Sequence, residues 1–139
     1  MAIGRKNAIT NTGGSLEVSS VVAGEAIRDN AAVGVVLDGA VGKIFEVSAS
    51  YHSTSFIGFS VGAYSIGDTV RISSIRGSTI SVIVENGDAL NIGESVFISD
   101  TKGEVTQTAP IVSGNVLVQV GVSSSTDKIL LITDFRVHT

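Results

Sequence analysis

Short apolar and polar alternations fill most of the chain, and turn residues separate them. Leu16, Val18 and Val21-Val22, with Glu17 and Ser19 between, predict a strand over 16–22. Gly24 to Asn30 is a polar connection, and Val33 to Leu37 is a short apolar strand ending at the turn signal Asp38-Gly39. From Lys43 to Ser48 the chain alternates again, with Ile44 and Glu46 opposite to Phe45 and Val47. Tyr51 to Ser55 reads as a loop, and Phe56 to Val61 as a strand broken by Gly58. After residues 65–81, an apolar stretch runs to Val84 and ends at Asn86-Gly87. Gln107 to Asn115 holds the only proline, Pro110, and reads as a loop. Val116 to Val122 reads as a strand buried on both faces, Ser123 to Asp127 as a turn, and Lys128 to Val137 as the last strand. About ten short strands at this spacing predict a compact all-β barrel or sandwich.

Two repeats are visible. Residues 65–81 and 91–107 share Ile66/Ile92, Gly67/Gly93, Val70/Val96, Ile72/Ile98, Ser73/Ser99 and Gly77/Gly103 at an offset of 26. Each copy has a glycine turn, an alternation and a second glycine turn, which predicts a β-hairpin twice over. A second offset, 63, relates Gly24-Glu25-Ala26-Ile27 to Gly87-Asp88-Ala89-Leu90 and Ile57-Gly58-Phe59-Ser60 to Val120-Gly121-Val122-Ser123. Two separated matches at one offset point to duplication of a β unit.

Composition supports the strand reading. The chain has 20 Val and 15 Ile against 6 Leu, with 16 Gly interspersed. Branching at Cβ suits a pleated surface better than a helix. At 139 residues one domain is expected, over 16–139, and a core is possible without staples. Absence of cysteine excludes disulfides and cysteine-ligated zinc. A net charge of −4 argues against nucleic acid as a partner, and no apolar run is long enough for a membrane helix. A mean hydropathy of +0.42 leaves apolar surplus that burial between subunits would cover.

Residues 1–15 read as an extended N-terminal arm. The only large aliphatic side chains among them are Ile3 and Ile9, and their only charges are Arg5 and Lys6. No apolar stretch follows those two charges, so the segment does not read as a secretory signal.

Candidate chemistry is thin. Gly58-Phe59-Ser60-Val61-Gly62 fits the pattern of a nucleophile elbow, and Ser60, Asp127 or Asp134, and His138 could be arranged as a triad. The elbow needs a strand-to-helix turn, but the sequence after Gly62 opens a turn, and His138 is expected to fray. The expected role of the glycines is close strand packing. His52 and His138 have no partner at metal-ligand spacing, and Asp100 to Glu104 lacks the acidic spacing of a calcium loop. No cofactor, metal or small-molecule substrate is expected, and no enzyme activity.

The segment Phe56 to Ile72 (FIGFSVGAYSIGDTVRI) resembles small virion proteins of tailed bacteriophages, and above all capsid decoration (cement) proteins. The same holds for Leu90 to Pro110 (LNIGESVFISDTKGEVTQTAP), Gly114 to Ser123 and Asp127 to Ile132. The likeness covers about residues 24–133. It implies a non-enzymatic homotrimer on the outer capsid surface, assembled in the host cytoplasm. Such a protein binds the major capsid protein, bridges its subunits and stabilises the head. Ile3, Arg5, Lys6 and Ile9 are then the candidate capsid-binding residues, with the arm adding a strand to an exposed sheet edge. Related modules occur in tail fibres and spikes, so the alternative is a host-surface or tail structural role with Tyr51 or Tyr64 exposed in loops. A hydrolase using Ser60 is the third reading.

Overall fold

The computed structural model describes residues 15–109 and 117–138, with side chains from 21 to 132. The strands, in chain order, are β1 (Ser15–Val22), β2 (Ala32–Asp38), β3 (Val41–Glu46), β4 (Phe56–Ser60) and β5 (Thr69–Ser73), then β6 (Thr79–Ser81), β7 (Ser95–Ile98), β8 (Val105–Thr106), β9 (Leu117–Ser123) and β10 (Lys128–His138). They form two antiparallel five-stranded sheets, ordered β1-β5-β4-β2-β3 and β6-β10-β9-β7-β8. Adding five to each strand number of the first order gives the second.

Residue register repeats as well. Ala32 pairs Phe59 and Val33 pairs Gly58 in the first sheet; Ser95 pairs Val122 and Val96 pairs Gly121 in the second, each residue 63 further on. The irregularity after Val33 recurs after Val96. Past the β2–β3 turn the offset becomes 61: Val35 pairs Ile44, and Ile98 pairs Val105. The first β-turn is therefore two residues longer than its counterpart. In both halves a parallel bridge ties the region before the second strand to the third strand, Ala23 to Ile44 and Val84 to Val105. The first bridge nearly closes β1–β5 into a barrel. The two matches at an offset of 63 thus mark a real structural duplication.

The offset of 26 has a different meaning. Residues 91–107 form the expected β7–β8 hairpin. Residues 65–81 do not form a hairpin. Their two strands, β5 and β6, lie in different sheets, and the glycine turn at Gly77 carries the chain from one half to the other. A glycine turn followed by Val-x-Ile specifies the start of a strand, not its partner.

Core burial follows the alternation. Ala23, Ile27, Ala31, Val33, Ile44, Val70 and Ile72 fill the first barrel. A larger cluster combines Val96, Ile98, Val105, Val118, Val120, Ile129 and Leu131 of the second half with Ala32, Val47, Phe56 and Phe59 of the first. Strand β2 is thus covered on both faces where it begins, with Ala32 and Val33 fully buried. Phe56 meets Phe59 edge-on, with ring centroids 5.3 Å apart. Each such aromatic or branched side chain contributes about 1.5–3 kcal/mol through burial.

Gly58 shows why this packing restricts sequence. A Cβ there would lie 2.5 Å from the Ser73 carbonyl oxygen and 2.6 Å from Ile72 Cγ2. Its counterpart Gly121 would overlap the Leu130 carbonyl oxygen in the same way. These glycines let adjacent strands approach, as the sequence predicts.

Candidate functional site

Where the two halves meet, the β7–β8 turn of the second half sits against the first. Gly103 N donates to the Val47 carbonyl at 2.8 Å, and Ala32 N donates to the Gly103 carbonyl at 2.9 Å. Ala49 N donates to the Ser99 carbonyl at 2.8 Å. Charged side chains gather around these backbone bonds. Arg28 Nη2 lies 2.8 Å from Glu46 Oε1, and Arg28 Nη1 lies 3.0 Å from Glu104 Oε2. Arg28 Nη2 also donates to the Lys102 carbonyl at 2.5 Å. Lys102 Nζ reaches Glu25 Oε1 at 2.9 Å and lies 4.5 Å from the centre of the Tyr51 ring. Glu25 in turn accepts from Glu46 N at 2.9 Å.

Glu46 is the buried member, with a side chain only 7% exposed. It sits on the Ile44 face of β3, where a carboxylate is tolerated only with partners. Arg28 supplies them from its guanidinium and from its backbone N–H, 2.8 Å from Glu46 Oε2. The hydrogen bond to Glu46 is the main cause that raises the Arg28 pKa above its ordinary value; desolvation opposes it, and Glu104 reinforces it. Arg28 therefore stays charged at any ordinary pH.

The second half repeats the backbone part of this device without its charges. Asn91 N donates to Gln107 Oε1 at 2.7 Å, as Arg28 N does to Glu46. Ser60 Oγ donates to the Arg28 carbonyl at 2.5 Å, and Ser123 Oγ donates to the Asn91 carbonyl. Asn30 N donates to the Ser60 carbonyl and Gly93 N to that of Ser123, at 3.1 and 2.9 Å. Around the second copy lies an open groove of about 160 Å³ lined by Glu85, Asp88, Asn91, Gln107 and Thr108.

Matching the chain against protein-family models, curated proteins and solved structures gives no match in any of the three.

The candidate residues fall as follows. Ile3, Arg5, Lys6 and Ile9 lie outside the described residues. Ser60 is 2% exposed in β4, and its hydroxyl is used twice, donating to Arg28 O and accepting from Ala31 N at 3.0 Å. A turn follows it, with Gly62 at φ +102°, rather than a helix. The elbow geometry is therefore not formed. Backbone at His138 pairs with Leu117 in β10, contrary to the expected fraying. His52 takes a left-handed conformation, φ 56°, and packs edge-on to Tyr51. Tyr64 donates its hydroxyl to the Val61 carbonyl and accepts from Arg71 N. No group of three or more potential metal ligands occurs among the described residues. As expected, residues 100–104 form a turn, and its side chains tie the halves together.

Sequence reasoning missed the Arg28–Glu46–Glu104 cluster. One signal was present: Glu46 shares the face of Ile44 in an alternating strand. A carboxylate on a core face implies a cation nearby.

Proposed function

We propose that this chain is a virion structural protein. In this reading it decorates the outer surface of a tailed-bacteriophage head as a homotrimer and stabilises the shell by bridging major capsid protein subunits. The observation that carries the reading is the contrast between tied polar groups and free apolar ones. Arg28, Glu46, Glu104 and Lys102 all serve the junction between the barrels. Val35, Leu37 and Val41, by contrast, stand exposed on the β2–β3 hairpin. A molecule built this way acts through surfaces rather than through a reacting group. The segments that carry the resemblance to decoration proteins support the same reading, since they include β4, β7, β8 and β9 and form the framework on which those surfaces are held.

Residues 2–14 then serve as the docking arm through Ile3, Arg5, Lys6 and Ile9. Three such arms on one trimer would bind together through effective concentration. The test adds purified protein to expanded heads that lack it. Full-length protein is expected to co-sediment with the heads, and a variant without residues 2–14 to lose binding while keeping its oligomer. Undiminished binding by the truncated protein would remove the arm from the model, and no binding by the full chain would remove decoration itself. Electron microscopy of virions separates head from tail. The tail-module alternative gains little support from the aromatic side chains, because Tyr51 and Tyr64 are engaged within the chain.

A further inference from the structure

The duplication is asymmetric at its surfaces. The second half presents its β7–β8 end, with Ile98 and Gly103, to the side of the first barrel, where Ala32, Val47 and Phe59 receive it. Ile98 and Gly103 are buried as a result. The first barrel has the same end, built from β2 and β3, and nothing covers it among the described residues. Val35, the counterpart of Ile98, is 37% exposed; Leu37 and Val41 beside it are 75% and 56% exposed. The second half likewise has the same side, and nothing covers it among the described residues. Val122 stands where Phe59 does, paired with Leu130, which is 44% exposed. Among the described residues, four of the seven large exposed hydrophobic side chains thus lie on the two surfaces that the internal contact would use if it were repeated.

We propose that this chain associates with further copies of itself head to tail. The β2–β3 end of one copy seats on the β9–β10 side of the next, in the manner of the contact inside each chain. Such an interface is heterologous, because one copy offers the end and the other the side. It closes into a ring of alternating first and second barrels when the rotation allows, and otherwise extends. The end carries exposed Leu37 and Val41 beside the Asp38–Lys43 ion pair, and the side carries Val122 and Leu130 beside the polar Ser95 and Thr108; the internal contact uses Lys102 where the end has Val41. Association between copies does not use the Arg28 cluster, because uncharged Asn91 and Gln107 stand at the positions of Arg28 and Glu46 on that side. This inference stands on the duplication alone and holds whether or not the protein binds capsids.

The test uses the full chain in analytical ultracentrifugation. Wild type is expected to sediment as an oligomer, and Leu37→Asp and Leu130→Asp each as a monomer with an unchanged circular dichroism spectrum. An equimolar mixture of the two variants is expected to give a one-to-one dimer and nothing larger, since the mixture holds one intact end and one intact side per pair. A monomeric wild type would overturn the proposal, including the case in which residues 1–14 cover the patch. So would an oligomer that survives both substitutions. If either variant loses its fold, disulfide trapping decides, because the chain has no cysteine of its own. Val41 adjoins Gly42, the counterpart of Gly103, and Thr108 is the counterpart of Val47. A mixture of Val41→Cys and Thr108→Cys should therefore form the mixed disulfide in preference to either homodimer, and a statistical mixture would overturn the proposal.

Discussion

Arg28 and Asn91 occupy the same place in the two barrels, yet one is at the centre of an ionic cluster and the other beside an open groove. Their backbone N–H groups do the same job, each donating to an oxygen of the residue that follows the third strand's bridge, Glu46 or Gln107. Both carbonyls accept from the serine of a repeated Gly-x-Ser. What differs is cover. Glu46 is closed over by the β7–β8 turn, and a turn that brings Glu104 and Lys102 needs Arg28 to balance the carboxylates. Gln107 has no such cover among the described residues, and a neutral amide satisfies the same backbone groups with Asn91 and Ser123. The duplicated backbone fixes where hydrogen bonds are required. Burial decides whether charge supplies them.

Gly103 offers the sharpest way to break this difference. It has φ +78°, and a Cβ would overlap the Glu46 carboxylate and lie 2.8 Å from Arg28 Nη2. Gly103→Val should cost about 3 kcal/mol or more through backbone strain and a disrupted ion pair. Gly39, at the tip of the corresponding turn, has φ +68° and no atom near a would-be Cβ. Gly39→Ala should cost about 1 kcal/mol from conformation alone. Urea unfolding of the two variants measures the gap; equal costs would mean that the junction does not depend on close approach at Gly103.

Exchanging the two anchors is the next test. Glu46→Gln gives the first barrel the second barrel's neutral chemistry and should destabilise by about 1–3 kcal/mol, since Arg28 keeps only Glu104 as an ionic partner. Gln107→Glu removes the amide that donates to the Asn91 carbonyl and Ser123 Oγ and should cost about 1 kcal/mol, the smaller loss because the site is open to water. The loss at Glu46 should be nearly insensitive to salt, because the pair is shielded on the Glu46 side. Thermal melts at low and high ionic strength check both statements.

The sequence shows much of this fold and little of its junction. Alternation and glycine turns mark nearly every strand, because Val and Ile on a pleated surface leave few other conformations. The match at Gly58/Gly121 reveals the duplication, because close strand approach at those two glycines excludes a side chain, whereas Gly87 has open space around it and answers to its φ of +71°. The 26-residue pattern misleads at 65–81 for a physical reason: local turn chemistry sets strand starts, while strand partners are set by burial across the whole chain. The ionic cluster joins residues 18 and 76 positions apart, and no periodicity links them. The buried carboxylate of Glu46 was the one readable sign.

Arg28 also carries a pH signature, the smallest effect. Its folded pKa is raised, mainly by Glu46. A raised pKa adds stability that is fully present below the unfolded value of an arginine, far above ordinary pH, and is lost only as pH rises through the folded value. The stability difference between wild type and Arg28→Gln should therefore stay constant from about pH 7 to pH 10, where the guanidinium keeps its proton in both states. Asn91→Gln, the matching change in the second barrel, removes no titrating group and should give a smaller difference, equally flat. Urea unfolding at three pH values reads both lines. A slope confined to Arg28→Gln would mean that another group titrates against the guanidinium, and would move the origin of the first barrel's extra stability away from the Arg28–Glu46 pair.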